Sequence, residues 1–215
     1  MATTAYDRGI RTGPLHSLRP VLEAWLRINS RAGREWVKYG AAPWWYNERA
    51  SLSFFAGAVW QCTGGWALEE FSTVKIDSSE RGRKQELSGR CDIDFGFGNY
   101  EYAAEAKQCW PNISNTSNSI AMVKRFLREA HQDCRQLPGY FECPRLSIVF
   151  ATPKLHESRR AHIDVHLSRF VNELSRLQNA AVAWVFPKTA RGLKPDGNYR
   201  NYIFPGIAVV VRRCN

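Results

Sequence analysis

The sequence predicts an α/β fold in which helices cover a mixed β-sheet. Two observations carry this expectation. Amphipathic stretches with apolar residues three and four apart alternate with short runs rich in β-branched and aromatic residues. Read in order, the segments give α-α-β-β-β-α-β-α-β-β, an interleaving that places helices against a sheet.

Residues 17–30, SLRPVLEAWLRINS, carry Leu18, Val21, Leu22, Trp25 and Ile28 at helical spacing. After a link punctuated by Gly and Pro, NERASLSFFAGAVWQC opens a second helix, with Asn47 as N-cap and Leu52, Phe55 and Val59 as its apolar stripe. Gly64-Gly65 stops it, and WALEEFSTVKI (66–76) has the composition of a strand. Residues 77–90, DSSERGRKQELSGR, are polar and basic and read as a loop or a ragged strand extension. Strands over 90–97 and 100–110 follow. Ile120, Val123, Leu127, Ala130, Cys134 and Leu137 then mark a helix over 119–137, ended by Pro138-Gly139. RLSIVFAT (145–152) is a continuous apolar run, as in a strand covered on both faces. Ile163, Leu167, Phe170, Leu174 and Leu177 place a helix over 158–178, and AAVAWVF (180–186) and FPGIAVVVRR (204–213) supply the last strands. Residues 1–44 are expected as an N-terminal helical extension and residues 45–215 as the main domain.

A hydrophobic content of 44%, with 13% aromatic and 23% charged residues, excludes a disordered chain. No apolar run approaches the roughly 20 residues of a membrane span, and the N-terminus lacks the apolar core of a signal peptide. A cytoplasmic protein with no membrane partner is the expectation. Thirty Lys and Arg against twenty Asp and Glu give a formal charge of +10, which favours a polyanionic partner, DNA above all. Arg83, Lys84, Arg90, Lys124 and Arg128 are the expected phosphate contacts. Trp44, Trp45 and Tyr46 read either as a platform for unpaired bases or as a hydrophobic lead-in to the helix at 47. The six cysteines form no C-x-x-C pair, so neither a zinc ribbon nor a disulfide scaffold is indicated, and reduced thiols are expected.

The stretch GRCDIDFGFGNYEYAAEAKQ (89–108) crowds carboxylates and an ammonium into strand-like sequence. Strand side chains alternate faces. Cys91, Ile93, Phe95 and Phe97 should share one face, and Arg90, Asp92 and Asp94 the other. On the second strand Glu101, Ala103, Glu105 and Lys107 lie together. If Gly98-Asn99 is a two-residue type II′ turn, Phe97 pairs with Tyr100 and Asp92 falls opposite Glu105. A four-residue loop would instead set Asp94 opposite Glu101. Opposed ionised carboxylates repel unless a cation lies between them, and Mg²⁺ is commonly held by one or two carboxylates. The alternative is a solvated strand face neutralised by ordinary salt bridges.

Asp92 followed by Glu105-Ala106-Lys107 on the adjacent strand resembles the PD-(D/E)XK nuclease superfamily, which has the restriction-endonuclease-like fold. The core order of that family, α-βββ-α-β, matches the segments from about residue 45 to 152, about half of the chain. Cys91 stands where the motif has Pro. The resemblance implies an Mg²⁺-dependent nuclease, with Mn²⁺ as a substitute ion, that hydrolyses phosphodiester bonds in DNA. An endonuclease of restriction, defence or repair is the expectation. The resemblance assigns Asp92 and Glu105 to the metal, with the backbone carbonyl of Ala106 as a further ligand. It assigns Lys107 to the attacking water. Glu48 matches an acid that many members carry on the first core helix, with Glu69 and Glu70 as substitutes. Its other reading is a helix-start carboxylate favoured by the macrodipole. Cleavage of duplex DNA by such enzymes often pairs two sites, which makes a homodimer one expected arrangement. A catalytically inactive nucleic-acid-binding module on the same fold is the alternative.

Overall fold

The uninterrupted apolar runs lie at the centre of a sheet covered on both faces. The computed structural model describes residues 6–77, 85–138 and 142–214. Strand β1 is Arg8–Arg11 and helix α1 is Arg19–Val37. Helix α2 (Glu48–Trp60) leads into β2 (Trp66–Asp77), β3 (Gln85–Phe97) and β4 (Tyr100–Cys109). Helix α3 (Thr116–Arg135) precedes β5 (Arg145–Ala151) and the short β6 (Leu155–His156). Helix α4 (Ile163–Ser175), β7 (Ala180–Val185), β8 (Tyr202–Ile203) and β9 (Ile207–Cys214) complete the order.

Among the described residues, seven strands form one mixed sheet in the order β1-β7-β9-β5-β4-β3-β2, and β6 pairs with β8. Only the β4–β5 pair in that sheet is parallel, and α3 makes the crossover between them. Alternation divides the buried side chains between two layers. Leu146, Ile148 and Phe150 of β5 pack with Val21, Leu22 and Trp25 of α1 and Phe55 of α2. Val149 and Ala151 turn to the other face, with Val123 and Leu127 of α3 and Leu167 and Phe170 of α4. Strands β7 and β9 divide in the same way, which is why these sequences show no polar alternation.

The segment expected as a helical extension contributes to this same core. Leu18, Val21, Leu22 and Trp25 are fully buried in it, and β1 adds an edge strand against β7, with Ile10 opposite Ala183. Strand β1 has too few residues and too many arginines to be read without its partner. The helix expected over 158–178 begins as an α-helix only at Ile163. Glu157–His162 form a 3-10 turn with no buried residue, so nothing there anchors an amphipathic face. Part of the polar stretch 77–90 is strand, since β3 begins at Gln85 and its ladder with β2 reaches Asp77. The aromatic lead-in divides: Trp44 is buried and donates its indole N–H to the Phe204 carbonyl, whereas Tyr46 is 49% exposed.

Trp25 anchors α1 with no exposed surface. Trp25→Ala is expected to lower unfolding free energy by about 3–5 kcal/mol in urea titrations, through lost burial and the cavity left behind. Tyr39→Ala, at a side chain 84% exposed, should change it by less than about 0.5 kcal/mol.

Candidate functional site

The β3–β4 hairpin closes on Gly98-Asn99 with Phe97 opposite Tyr100, as the two-residue turn requires. Gly98 has φ +53° and Asn99 does not share the left-handed region, the pattern of a type II′ turn. The ladder then runs through Phe95–Tyr102 to Ile93–Ala104 and stops. The expected continuation, which set Asp92 opposite Glu105, is therefore corrected. The next hydrogen-bonded pair in that register would be Cys91 with Ala106, but the Ala106 N–H donates instead to Asp92 Oδ2 at 2.7 Å.

A backbone distortion on the other side of β3 accompanies the break. The β2–β3 ladder passes from Glu69–Ile93 to Phe71–Cys91 and omits Glu70, which has φ +49°. The alternation of β3 slips here. Ile93, Phe95 and Phe97 pack with α1 and α2, whereas Cys91 packs with Ala103, Cys134 and Leu137 on the α3 side. The expectation that Cys91 shares a face with Ile93, Phe95 and Phe97 is thus also corrected, and the physical cause is the interruption at Glu70 and Asp92. A strand residue presents its N–H and C=O to the same neighbour, so the Ala106 carbonyl faces this gap as well.

Around the gap Glu48, Asp92, Glu105 and Lys107 lie close enough to influence one another's charge. Glu105 is 1% exposed, and its Oε1 lies 3.0 Å from Lys75 Nζ of β2. Burial, and then the Asp92 charge, push its carboxyl up to about 8, with Asp133 adding to the rise and Lys75 opposing it. Lys107 Nζ pairs with Asp133 of α3 at 2.6 Å. Burial works against the Lys107 charge, but Asp133, Asp92 and Glu48 outweigh it and hold the ammonium above the usual lysine range. Glu48 is half-buried, and desolvation raises its carboxyl; Lys107 and the Gln108 backbone N–H lower it, while Asp92 and Glu70 raise it.

Glu48 therefore feels the charges of Lys107 and Asp92, while also standing in the first turn of α2 behind the N-cap Asn47. The proposed substitutes have other partners. Glu69 accepts a hydrogen bond from Ser53, and Glu70 pairs with Arg49 at 2.6 Å and Arg90 at 3.1 Å. The start of α2 is fixed to β4 by the buried Gln108. Its Nε2 donates to the carbonyls of Trp44 and Tyr46, and its Oε1 accepts from the Ser51 hydroxyl.

Asp94, the other candidate for the metal, lies outside this group. Its carboxyl is raised by burial and by Glu101. Asp94, Glu101 and Cys143 present donor atoms within 4.8 Å of one another, a convergence that Asp92, Glu105 and Glu48 do not reach among the described residues. A thiol suits softer ions than Mg²⁺, and Glu101 is exposed.

The expected phosphate contacts are dispersed. Arg83 and Lys84 lie outside the described residues. Arg90, 61% exposed, pairs with Glu70 close to the site. Lys124 and Arg128 line a groove with Arg176 and Arg212. Asp133, which faces the site, stands about 140° around α3 from Arg128, so that groove opens on another side of the helix. Sequence reasoning did not pick out Lys75 and Asp133. Asp133 had a faint signal as an acid three residues beyond Ala130 of the apolar stripe, whereas Lys75 had none.

Comparison of the chain with protein-family models, with curated proteins and with solved structures gives no significant match. Among the described residues, no helix is long and apolar enough to cross a membrane.

The raised Glu105 carboxyl sets a pH dependence. Its ordinary value is 4.5 and its value in the fold is about 8, so the folded state holds the extra proton across that interval. Stability of the metal-free protein should fall as pH rises through that window, by on the order of a few kcal/mol. Glu105→Gln should flatten the profile and melt higher than wild type near its upper end. Parallel thermal profiles for the two proteins would show that Glu105 ionises normally.

Proposed function

We propose that the protein is a divalent-metal-dependent nuclease that hydrolyses phosphodiester bonds in DNA, on a restriction-endonuclease-like core. The supporting observation is an electrostatic deficit. Glu48, Asp92, Glu105 and Asp133 surround Lys75 and Lys107, so the fully ionised group carries two negative charges in excess. Glu105, whose carboxyl is pushed up to about 8, stays ionised at neutral pH only when more positive charge arrives. The all-oxygen donor set favours a hard cation such as Mg²⁺, with Mn²⁺ as a substitute. Burial of the Glu105 carboxyl beside Asp92 fits the same requirement.

The order α2, β2, β3, β4, α3, β5, with β5 parallel to β4, is consistent with that core. Asp92, Glu105 and the Ala106 carbonyl would hold the ion, and Glu48 would complete its surroundings. The bound ion would supply Lewis-acid stabilisation of charge on the phosphoryl oxygens and a more acidic water. Lys107 orients the attacking water and donates to the oxygens that gain charge. Asp133 keeps that ammonium charged and in place. Arg49 and Arg90, exposed beside the site, offer contacts to flanking phosphates. The substrate is cut internally, in restriction, defence or repair, and a homodimer would supply the second site for duplex cleavage.

Supercoiled plasmid with Mg²⁺ tests this. Wild type should nick or linearise it, and Glu105→Ala or Lys107→Ala should each reduce the rate by at least about 100-fold. EDTA should abolish cleavage. Salt-dependent DNA binding with no cutting in Mg²⁺ or Mn²⁺ would instead identify a catalytically inactive binding module.

A further inference from the structure

Lys75 approaches Glu105 from two strands away. It lies on β2 and Glu105 on β4, with β3 between them, a separation of roughly 9–10 Å at ordinary strand spacing. Its path crosses Gly89. A Cβ built at Gly89 would come within 2.7 Å of Lys75 Cγ and 2.9 Å of Cδ, closer than packed carbons tolerate. Gly89 has no left-handed backbone that would require glycine. The missing side chain leaves a channel over β3, and the lysine stem fills it. The lysine side chain is 20% exposed, and at its far end the ammonium faces a carboxyl group that is almost wholly buried.

We propose that Lys75 is the internal counter-ion of the site, held on Glu105 in place of the divalent cation and displaced when that cation binds. The inference rests on the metal-dependent nuclease reading and adds a threshold to it. Once Glu105 ionises, ammonium and dication compete for the same oxygen, so Lys75 weakens metal binding. Lys107 has a different role: Asp133 holds it independently of Glu105, so it remains beside the site when the ion enters. The two lysines therefore separate functionally, one exchanging with the metal and one serving the reaction.

Calorimetric titration of the full chain with Mn²⁺ tests the exchange without reference to cleavage. Lys75→Met, which keeps the aliphatic stem and removes the charge, should bind Mn²⁺ about tenfold more tightly than wild type. Lys75→Arg, which keeps the charge, should stay near wild type. Gly89→Ala blocks the channel and should shift affinity in the same direction as Lys75→Met, which keeps the test open if either variant folds poorly. Glu105→Gln should lose the binding, which ties the measured ion to this site. Unchanged or weaker binding in both Lys75→Met and Gly89→Ala, with wild type and Glu105→Gln behaving as stated, would overturn the counter-ion role and leave the nuclease reading standing. No Mn²⁺ binding in any variant, or binding that survives Glu105→Gln, would overturn both.

Discussion

The hydrogen bond from the Ala106 N–H to the Asp92 carboxylate is the constraint on which the rest of the site depends. A central strand pair normally satisfies its backbone groups from the neighbouring backbone, and leaving one unpaired inside a fold is unfavourable. Here a side chain takes the place of the ladder. That substitution lets β3 and β4 separate beyond Ile93–Ala104 without stranding a donor. It also pins Asp92 beside the Glu105–Lys107 segment. The left-handed backbone at Glu70 interrupts the opposite edge of β3 at the same level, so the strand can change phase there.

The opening concentrates negative charge where Glu105 is buried and Glu48, Asp92 and Asp133 are half-buried. The alanines at 103, 104 and 106 are buried, and α2 and α3 both pack against β4. Glu105 suffers most, being desolvated and next to Asp92. Each lysine answers part of that charge from the same sheet: Lys75 reaches across β3 from β2, and Lys107 on β4 is held by Asp133 of α3. The arrangement sets four carboxylates, those of Glu48, Asp92, Glu105 and Asp133, against two ammonium groups. A set of carboxylates built only to stabilise the sheet would gain nothing from such proximity.

Much of this was legible in the sequence, for identifiable reasons. The turn at Gly98-Asn99 fixes the hairpin register, because glycine at the first position selects the turn and the turn selects the pairing. The apolar runs of β5, β7 and β9 announce burial on both faces. Glu48 was readable as an acid at the head of a capped helix, although its choice over Glu69 and Glu70 needed their hydrogen-bond and ion-pair partners. The slip at Asp92 was not legible, since it depends on the backbone of Glu70 in another strand. Lys75 was hidden for a similar reason: its meaning comes from a glycine on β3 and a carboxylate on β4, neither of which is near it in sequence. Strand β1 likewise exists only through its pairing with β7.

The central claim is that the break in the β3–β4 ladder is a seat for a divalent ion. Anomalous scattering from crystals soaked in Mn²⁺ locates such an ion directly. The claim predicts a single strong peak between the Asp92 and Glu105 carboxylates, within ligand distance of the Ala106 carbonyl, with Lys75 moved off Glu105. A peak confined to Asp94, Glu101 and Cys143, or no peak at a Mn²⁺ concentration that saturates other hard-oxygen sites, would contradict it.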